Sequence, residues 1–254
     1  MADEFVLSID VDWAPDFAIE FVAKKLKEKR IKATWFLTHD SAAVKQILEN
    51  NEIFECGIHP NFLPNSSHGK NEKEVMDNIT RLFPGLNIVR THALFQSTYL
   101  MKMLVKDFKM KIDVSLLLPE TPYIQPHTIY FDQNNEALIR VPFFWEDDIE
   151  MYNPLKNWRL KHPKFQVKGL KVFDFHPIHI FLNSTNMIEY EKLKLHHPLN
   201  SLNEEDVRSH VNKKSEGVND LFDEICDFIS SQQGKSFTIS EIVEKWKSES
   251  SEYR

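Results

Sequence analysis

The sequence predicts an α/β fold whose core is a parallel sheet or barrel assembled from βα units. Three observations carry this expectation. Short apolar, β-branched runs alternate with amphipathic helical segments about five times before Pro119, with short polar joints between them. The first of these runs, Phe5-Val6-Leu7-Ser8-Ile9-Asp10-Val11-Asp12-Trp13, reads as a buried strand that stops abruptly in two acids. Ionisable residues also gather where the later runs end, at His59, Arg90, His92, Asp147, Asp148, Asp174 and His176. In a parallel βα barrel those ends share one face, so residues remote in sequence meet in one pocket.

Each element follows from its local pattern. Asp10 and Asp12 lie two apart, so a strand continuing through both would turn their side chains to one side. Pro15 breaks the strand, and Asp16 is placed to cap the helix beginning at Phe17. Phe17, Phe21, Val22 and Leu26, with lysines between, predict that helix over residues 16–30. A second strand over residues 31–37 precedes a helix over roughly residues 41–50. The third strand, residues 53–58, ends in His59-Pro60-Asn61-Phe62 and a polar loop to Gly69. A helix over residues 73–83 is stopped by Pro84-Gly85, and a short strand at 87–89 finishes in Arg90-Thr91-His92. A helix over 97–108 and a strand over 111–117 complete the regular alternation.

Thr128-Ile129-Tyr130-Phe131 and Ala137-Leu138-Ile139-Arg140-Val141 flank Asp132-Gln133-Asn134-Asn135-Glu136, which predicts an inserted β-hairpin. Its second arm runs into Pro142-Phe143-Phe144-Trp145-Glu146-Asp147-Asp148, an aromatic and acidic cluster. Residues 151–168 have weak periodicity. A histidine-rich strand is expected over 171–180, a loop over 184–203, and a long helical stretch over 204–231 with a break near Gly217. Residues 237–246 read as a last strand and helix with Ser240 as N-cap. There is no repeat, linker or low-complexity segment, so one domain over residues 1–254 is expected.

Bulk properties exclude several classes. A hydrophobic share of 42% and a charged share of 27% place the chain among ordinary globular proteins. The net charge of −7 argues against a nucleic-acid binder. No apolar run approaches the ~18–20 residues of a membrane span. Six glycines and the absence of GxGxxG or P-loop patterns argue against a phosphate-cradling loop. Met1-Ala2-Asp3-Glu4 leads directly into a strand without a signal-peptide pattern. Cys56 and Cys226 form no metal or redox spacing. The expectation is a cytoplasmic chain with idle thiols.

Aspartate and histidine together are the donors of a catalytic zinc or similar transition metal, with a carboxylate as base and a histidine as acid completing a hydrolytic site. The same residues have plainer readings. Asp10 and Asp12 would suit a solvated strand end, Arg90 a salt bridge, and Asp147 and Asp148 a helix cap. His176 could be a packed core histidine, although Asp174, two residues earlier on the same side, would orient it for chemistry. His179, on the other side of that strand, reads as structural. His39, His127, His162, His196, His197 and His210 read as surface residues. Trp35, Phe143 and Phe144 read as core, whereas Trp13 and Trp145 would also suit stacking against a sugar.

These motifs resemble, in order and spacing over about residues 5 to 246, the polysaccharide deacetylases with a NodB-like domain. Ser8-Ile9-Asp10-Val11-Asp12-Trp13 resembles the family's first motif, Ala33-Thr34-Trp35-Phe36 its second strand, and Glu55-Cys56-Gly57-Ile58-His59 the strand ending in a metal-binding histidine. Arg90-Thr91-His92, Trp145-Glu146-Asp147-Asp148 and Phe175-His176-Pro177 resemble the later motifs. His59-Pro60-Asn61-Phe62 and His176-Pro177-Ile178-His179-Ile180 are most similar to a WbmS-like subgroup associated with bacterial surface-polysaccharide synthesis.

The resemblance implies a distorted (β/α) barrel of about seven βα units carrying the hairpin as an insertion. It implies one divalent ion, zinc by preference, on Asp12, His59 and His92, which ends a strand facing the pocket, with His68 in the polar loop as the alternative third ligand. Here the family's second ligand position, four residues after the first histidine, is Leu63, and its adjacent aspartate pair is split by Val11. It further implies Asp10 as base held by Arg90, His176 as acid with Asp174, and Trp13, Asn61, Trp145, Asp147 and Asp148 around the substrate. The expected substrate is an N-acyl, by preference N-acetyl, amino sugar carried on a sugar nucleotide or lipid-linked precursor. The alternative is a catalytically silent barrel that binds a sugar or a partner protein.

Overall fold

The computed structural model describes residues 4–131, 136–196, 202–231 and 236–251. The chain opens with β1 (Phe5–Asp10), α1 (Asp16–Glu28), β2 (Ala33–Leu37), α2 (Ala42–Glu49), β3 (Phe54–Ile58), α3 (Glu72–Leu82), β4 (Ile88–Val89) and α4 (Thr98–Lys106). It continues through β5 (Ile112–Asp113), β6 (His127–Tyr130), β7 (Ala137–Arg140), β8 (Trp145–Glu146) and α5 (Asp147–Tyr152). It ends with β9 (Lys171–Phe175), α6 (Pro177–Leu182), α7 (Ile188–His196), α8 (Glu204–Arg208), α9 (Val218–Ser231) and α10 (Ile239–Ser251).

Strand order is β6-β7-β5-β4-β3-β2-β1-β9-β8, parallel throughout except for the β6–β7 hairpin. The two ends of this series meet, because β7 and β8 belong to one extended run. On one side Val141 and Phe143 donate their N–H groups to Asp113 and Leu116, and Leu118 donates back to Phe143. On the other side Phe144 donates to Val172. Residues 137–146 therefore act as a stave that joins β5 to β9 and closes a distorted barrel of seven staves. The hairpin arms pair as expected, His127 opposite Arg140 and Tyr130 opposite Ala137. The tip expected at 132–135 lies outside the described residues.

Period-2 alternation divides the strands into two faces. Leu7, Ile9, Trp35, Leu37, Phe173 and Phe175 turn outward into a large core beneath the helices. Val6, Phe36, Ile88, Ile112, Val141 and Val172 turn inward and are closed from below by Ile239, Ile242 and Val243 of α10. That helix is tied to the barrel floor where Ile239 N–H donates to Thr34 Oγ1 and Ser240 N–H to Glu55 Oε2. The upper part of the interior is polar and holds Ser8, Asp10, Arg90 and Asp174, all buried. Both thiols are idle, as expected: burial pushes Cys56 and Cys226 up to about 12.

Several local expectations are corrected. β1 stops at Asp10, and Asp12 and Trp13 turn into the left-handed region at φ +44° and +55°. The helix cap is Pro15, without a side-chain bond, and Asp16 instead occupies the first turn, where its charge favours the helix N-terminus. β9 ends at Phe175, and Pro177 starts a helix that carries His179, since proline at a first helical position costs no hydrogen bond. The loop expected over 184–203 contains α7. The last strand is absent among the described residues. Thr238, not Ser240, caps α10 through a reciprocal pair of bonds with Glu241.

Gly57 shows how closely the barrel interior is fitted. A Cβ there would lie 2.8 Å from the carbonyl oxygen of Ile88 and 2.9 Å from the ring of Phe36. Gly57→Ala is expected to destabilise the fold by about 1–3 kcal/mol through overpacking, read from urea unfolding. A change within experimental error would show that the β3–β4 contact yields freely.

Candidate active site

The loops at the carboxyl ends of β1, β3, β4, β8 and β9 converge on one cleft of about 440 Å³. Each loop is pinned by backbone bonds. His59 N–H donates to Leu37, Arg90 N–H to Ile58, and His92 N–H to Pro60. Trp13 N–H donates to Thr38 Oγ1, fixing the left-handed turn that aims Asp12 inward. A second such turn follows His92, with Ala93 and Leu94 both at φ +52°. Backbone in this region is strained for residues with a Cβ, and strain of this kind persists only where its surroundings enforce it. Around the second turn those surroundings are a network buried except at Gln96. Arg140 binds Asp113 at 2.6 Å and Gln96 at 2.7 Å, and Ser115 links Asp113 to Thr91 N–H.

Asp12, His59 and His92 meet at a point. Asp12 Oδ1 lies 3.1 Å from His59 Nε2 and 3.1 Å from His92 Nδ1, and the two nitrogens are 3.3 Å apart. Ligands about 2.0–2.1 Å from a tetrahedral zinc would stand about 3.3 Å from one another. The donor set and its spacing therefore fit a divalent transition metal, with one side open to the cleft. His59 Nδ1 is buried without a partner. His68 stands differently. Its Nδ1 accepts from Asn61 N–H at 3.1 Å and its Nε2 bonds the Thr38 carbonyl at 2.7 Å, so neither nitrogen is free for a ligand.

Beneath this triad Arg90 is fully buried between the rings of Phe36 and Phe143, at 4.4 and 4.6 Å. It donates to Asp10 Oδ1 at 2.8 Å, to Asp174 Oδ1, to Ser8 Oγ at 2.9 Å and to the Val114 carbonyl at 3.2 Å. The other oxygen of Asp10 faces the metal-type site, 3.5 Å from His59 Nε2. Burial, reinforced by the charges of Asp10 and Glu146 against the opposing Arg90, lifts Asp174 well above the usual carboxyl range.

Beside Asp10 stands His176, their ligand atoms within 4.8 Å of one another. Its Nδ1 is 2.6 Å from Asp147 Oδ1, its backbone N–H donates to Asp147 Oδ2 at 2.9 Å, and its Nε2 lies 3.5 Å from Asp12 Oδ2. Burial opposes charging of this ring, but the carboxylates of Asp148, Asp147 and Asp12 outweigh it and raise its pKa well above the usual value. Asp12 is held ionised the same way: His176, His59 and His92 overcome its burial. The residue that orients His176 is thus Asp147 and not Asp174, whose partners are Arg90 and Ser8. Asp147 is fully buried behind His176, whereas Asp148 reaches the cleft.

Trp13 lines the cleft, but two other expected substrate contacts do not. Trp145 is buried against Trp158, Phe165, Phe173 and Phe175 with its Nε1–H on Glu150, and Asn61 is occupied with its own loop. His179 is buried and lies 2.9 Å from Asp148 Oδ1, which is held ionised at about 2. Sequence reasoning missed Glu146, Tyr152, Tyr190 and Lys194 on the cleft wall. The signal for Glu146 was present, since it is the last residue of the strand preceding the acidic pair. His197 and the side chain of His196 lie outside the described residues.

A family model described as WbmS-like polysaccharide deacetylase matches residues 7–194. Among solved structures, similarity extends to WbmS of Bordetella bronchiseptica, assigned as a polysaccharide deacetylase involved in O-antigen biosynthesis. That match has 28% identity and a TM-score of 0.76, covering 88% of this chain and 90% of that one. Peptidoglycan deacetylase PdaC of Bacillus subtilis, at 13% identity and a TM-score of 0.53 over 100% and 96% of the two chains, shares the fold. No curated protein sequence gives a significant match.

Glu146 yields a pH test. Burial, reinforced by the nearby carboxylates of Asp148, Asp10 and Asp147 against His176, lifts its carboxyl from 4.5 to about 8. The folded chain then keeps a proton that the unfolded chain has released. Stability from that proton is complete below pH about 4.5 and is lost as pH rises through about 8. In chelated protein, the stability of the wild type relative to Glu146→Gln is expected to fall across that window. A flat difference would mean that Glu146 is ionised throughout.

Proposed function

This chain belongs to the WbmS-like polysaccharide deacetylase family, and from that premise we propose that it hydrolyses the N-acyl group of an amino sugar during surface-polysaccharide synthesis. The observation that carries this reading is the closeness of Asp10 and His176 to the Asp12–His59–His92 triad, each with an atom 3.5 Å from one of its members. Those three side chains would hold one divalent ion, zinc by their donor set, which when bound supplies Lewis-acid polarisation of an amide carbonyl and a nucleophilic water at neutral pH.

The chain's own residues account for the protons. Arg90 fixes Asp10 through one oxygen and leaves the other facing the site, where it takes a proton from the attacking water. Oxygen adds to the carbonyl carbon and the C–N bond breaks. His176, kept protonated by Asp147 and Asp148, gives its Nε2 proton to the departing nitrogen, so the products are a carboxylate and an amine. Asp147 keeps that proton on the cleft side by occupying Nδ1, as a carboxylate does for a catalytic imidazole elsewhere.

Trp13, Tyr152 and Tyr190 give the cleft aromatic surfaces of the kind on which sugar rings pack. An N-acetyl amino sugar fits these walls, and the similarity to WbmS supports a surface-polysaccharide precursor, on a nucleotide or lipid carrier, as its source. No helix among the described residues is long and apolar enough to cross a membrane.

Two measurements test the reading. Protein purified without chelators is expected to carry about one zinc per chain, lost in His59→Ala and His92→Ala and kept in His68→Ala, as read by elemental analysis. Retention of metal by His92→Ala with loss in His68→Ala would reverse the ligand assignment. Asp10→Asn is expected to lower kcat for acetate release from N-acetylated sugar nucleotides by about 10²–10⁴-fold with metal content unchanged. An undiminished rate would remove Asp10 as base.

A further inference from the structure

Of the two histidines that meet Asp12, His92 is the one its own packing holds less. Its side chain is 23% exposed, against 2% for His59. Its Nδ1 faces Asp12 and His59, and among the described residues no hydrogen bond is made to its Nε2. A metal-binding imidazole is ordinarily aimed by a hydrogen bond to its other nitrogen. Here the aim falls to the backbone beneath the ring, the turn in which Ala93 and Leu94 both take φ +52°.

That turn is clamped at both ends by one closed ring of hydrogen bonds. At its start Thr91 N–H donates to Ser115 Oγ at 2.9 Å, and Ser115 Oγ–H donates to Asp113 Oδ1 at 2.6 Å. Arg140 Nε donates to Asp113 Oδ2 at 2.6 Å. Its Nη2 reaches across to Gln96 Oε1 at 2.7 Å, at the far end of the turn. Gln96 Nε2 donates to the Ser115 carbonyl at 3.2 Å and closes the ring. Thr91, Asp113, Ser115 and Arg140 are buried, so water does not compete for the Arg140–Asp113 pair as it does for pairs at a surface. β5 and β7 are already joined by their own ladder. The arms to Thr91 and Gln96 act instead on the turn, whose left-handed backbone persists only under such enforcement.

We propose that Arg140, Asp113, Ser115 and Gln96 are positioning residues for the metal: by clamping the turn at residues 91 and 96 they aim His92, and the inserted hairpin thereby sets the affinity of a site it does not touch. The proposal rests on the reading of His92 as a metal ligand. It gives a role to a hairpin none of whose described residues lines the cleft. Cutting one link lets the turn relax toward ordinary backbone, and His92 Nδ1 then leaves the point it shares with Asp12 and His59.

The test measures the zinc affinity of the full chain by competition with a chromophoric chelator. The cobalt(II) absorption spectrum reports the coordination, and urea unfolding of chelated protein reports the fold. Arg140→Gln is expected to bind zinc about 10–100-fold more weakly than the wild type, and Ser115→Ala and Gln96→Ala about tenfold, with weakened and shifted cobalt bands. Tyr130→Ala, on the outer arm of the hairpin and 64% exposed, is expected to bind zinc as the wild type does. Ser115→Ala and Gln96→Ala truncate a small side chain and an exposed one, so they carry the test if Arg140→Gln does not fold. Wild-type affinity and cobalt spectrum in both, with zinc lost in His92→Ala, overturn the clamp and leave the deacetylase reading standing. A loss in Tyr130→Ala as large as that in Ser115→Ala also overturns it, because any loosening of the hairpin would then suffice. Undiminished zinc binding in His92→Ala, or none in the wild type, overturns the ligand assignment and the clamp with it.

Discussion

The buried guanidinium of Arg90 is the constraint on which the rest of the interior depends. A charge this far from water is tolerable only if its donors are satisfied and its sign is matched. Phe36 and Phe143 exclude solvent from its two faces, while Asp10, Asp174, Ser8 and the Val114 carbonyl take its edges. Two carboxylates around one cation leave excess negative charge in the barrel, and burial together with the charge of Asp10 accordingly raises the pKa of Asp174. Asp10 lies beneath the cleft with one oxygen immobilised by Arg90 and the other facing His59. Gly57 belongs to the same device, because a side chain there would displace the ring of Phe36.

Above this layer the geometry is set by backbone that a strand could not supply. Asp12 and His92 each precede left-handed residues, at Trp13 and at Ala93 and Leu94, so the chain doubles back and delivers two donors to one point. The β6–β7 hairpin contributes here although none of its described residues lines the cleft. Arg140 on its second arm holds Asp113 and Gln96, and through them the turn after His92. The insertion and the candidate metal centre are therefore mechanically one unit.

Much of this was legible in the sequence, and the reasons are specific. Period-2 runs ending in Asp10, His59, Arg90 and His176 place those residues at strand ends whatever the later details, because parallel βα units put all such ends on one face. What failed was extrapolation of the strand period beyond the strand. Asp12 reaches its place through a turn and not through i, i+2 alternation, and Asp174 faces Arg90 while the chain bends after Phe175 to give His176 to Asp147. Trp145 looked available because an aromatic beside acids is ambiguous in sequence; four aromatic neighbours and Glu150 decide the matter only in three dimensions. The wall supplied by α7 left no trace, since its apolar residues follow no single face.

The pairing of β1 with β9 bears on how the chain is made. Leu7 stands opposite Phe173, so β1 finds its second neighbour some 165 residues later in the chain. Until then one edge of a short, strongly apolar strand is unpaired, a template for wrong association. Contacts of such separation also slow folding, because a long loop must be closed before they reward it. Fast overproduction is therefore expected to favour aggregation of the unfinished chain. Slower synthesis, lower temperature or a chaperone that shields the nascent edge should raise the yield of closed barrels more than any change at the surface.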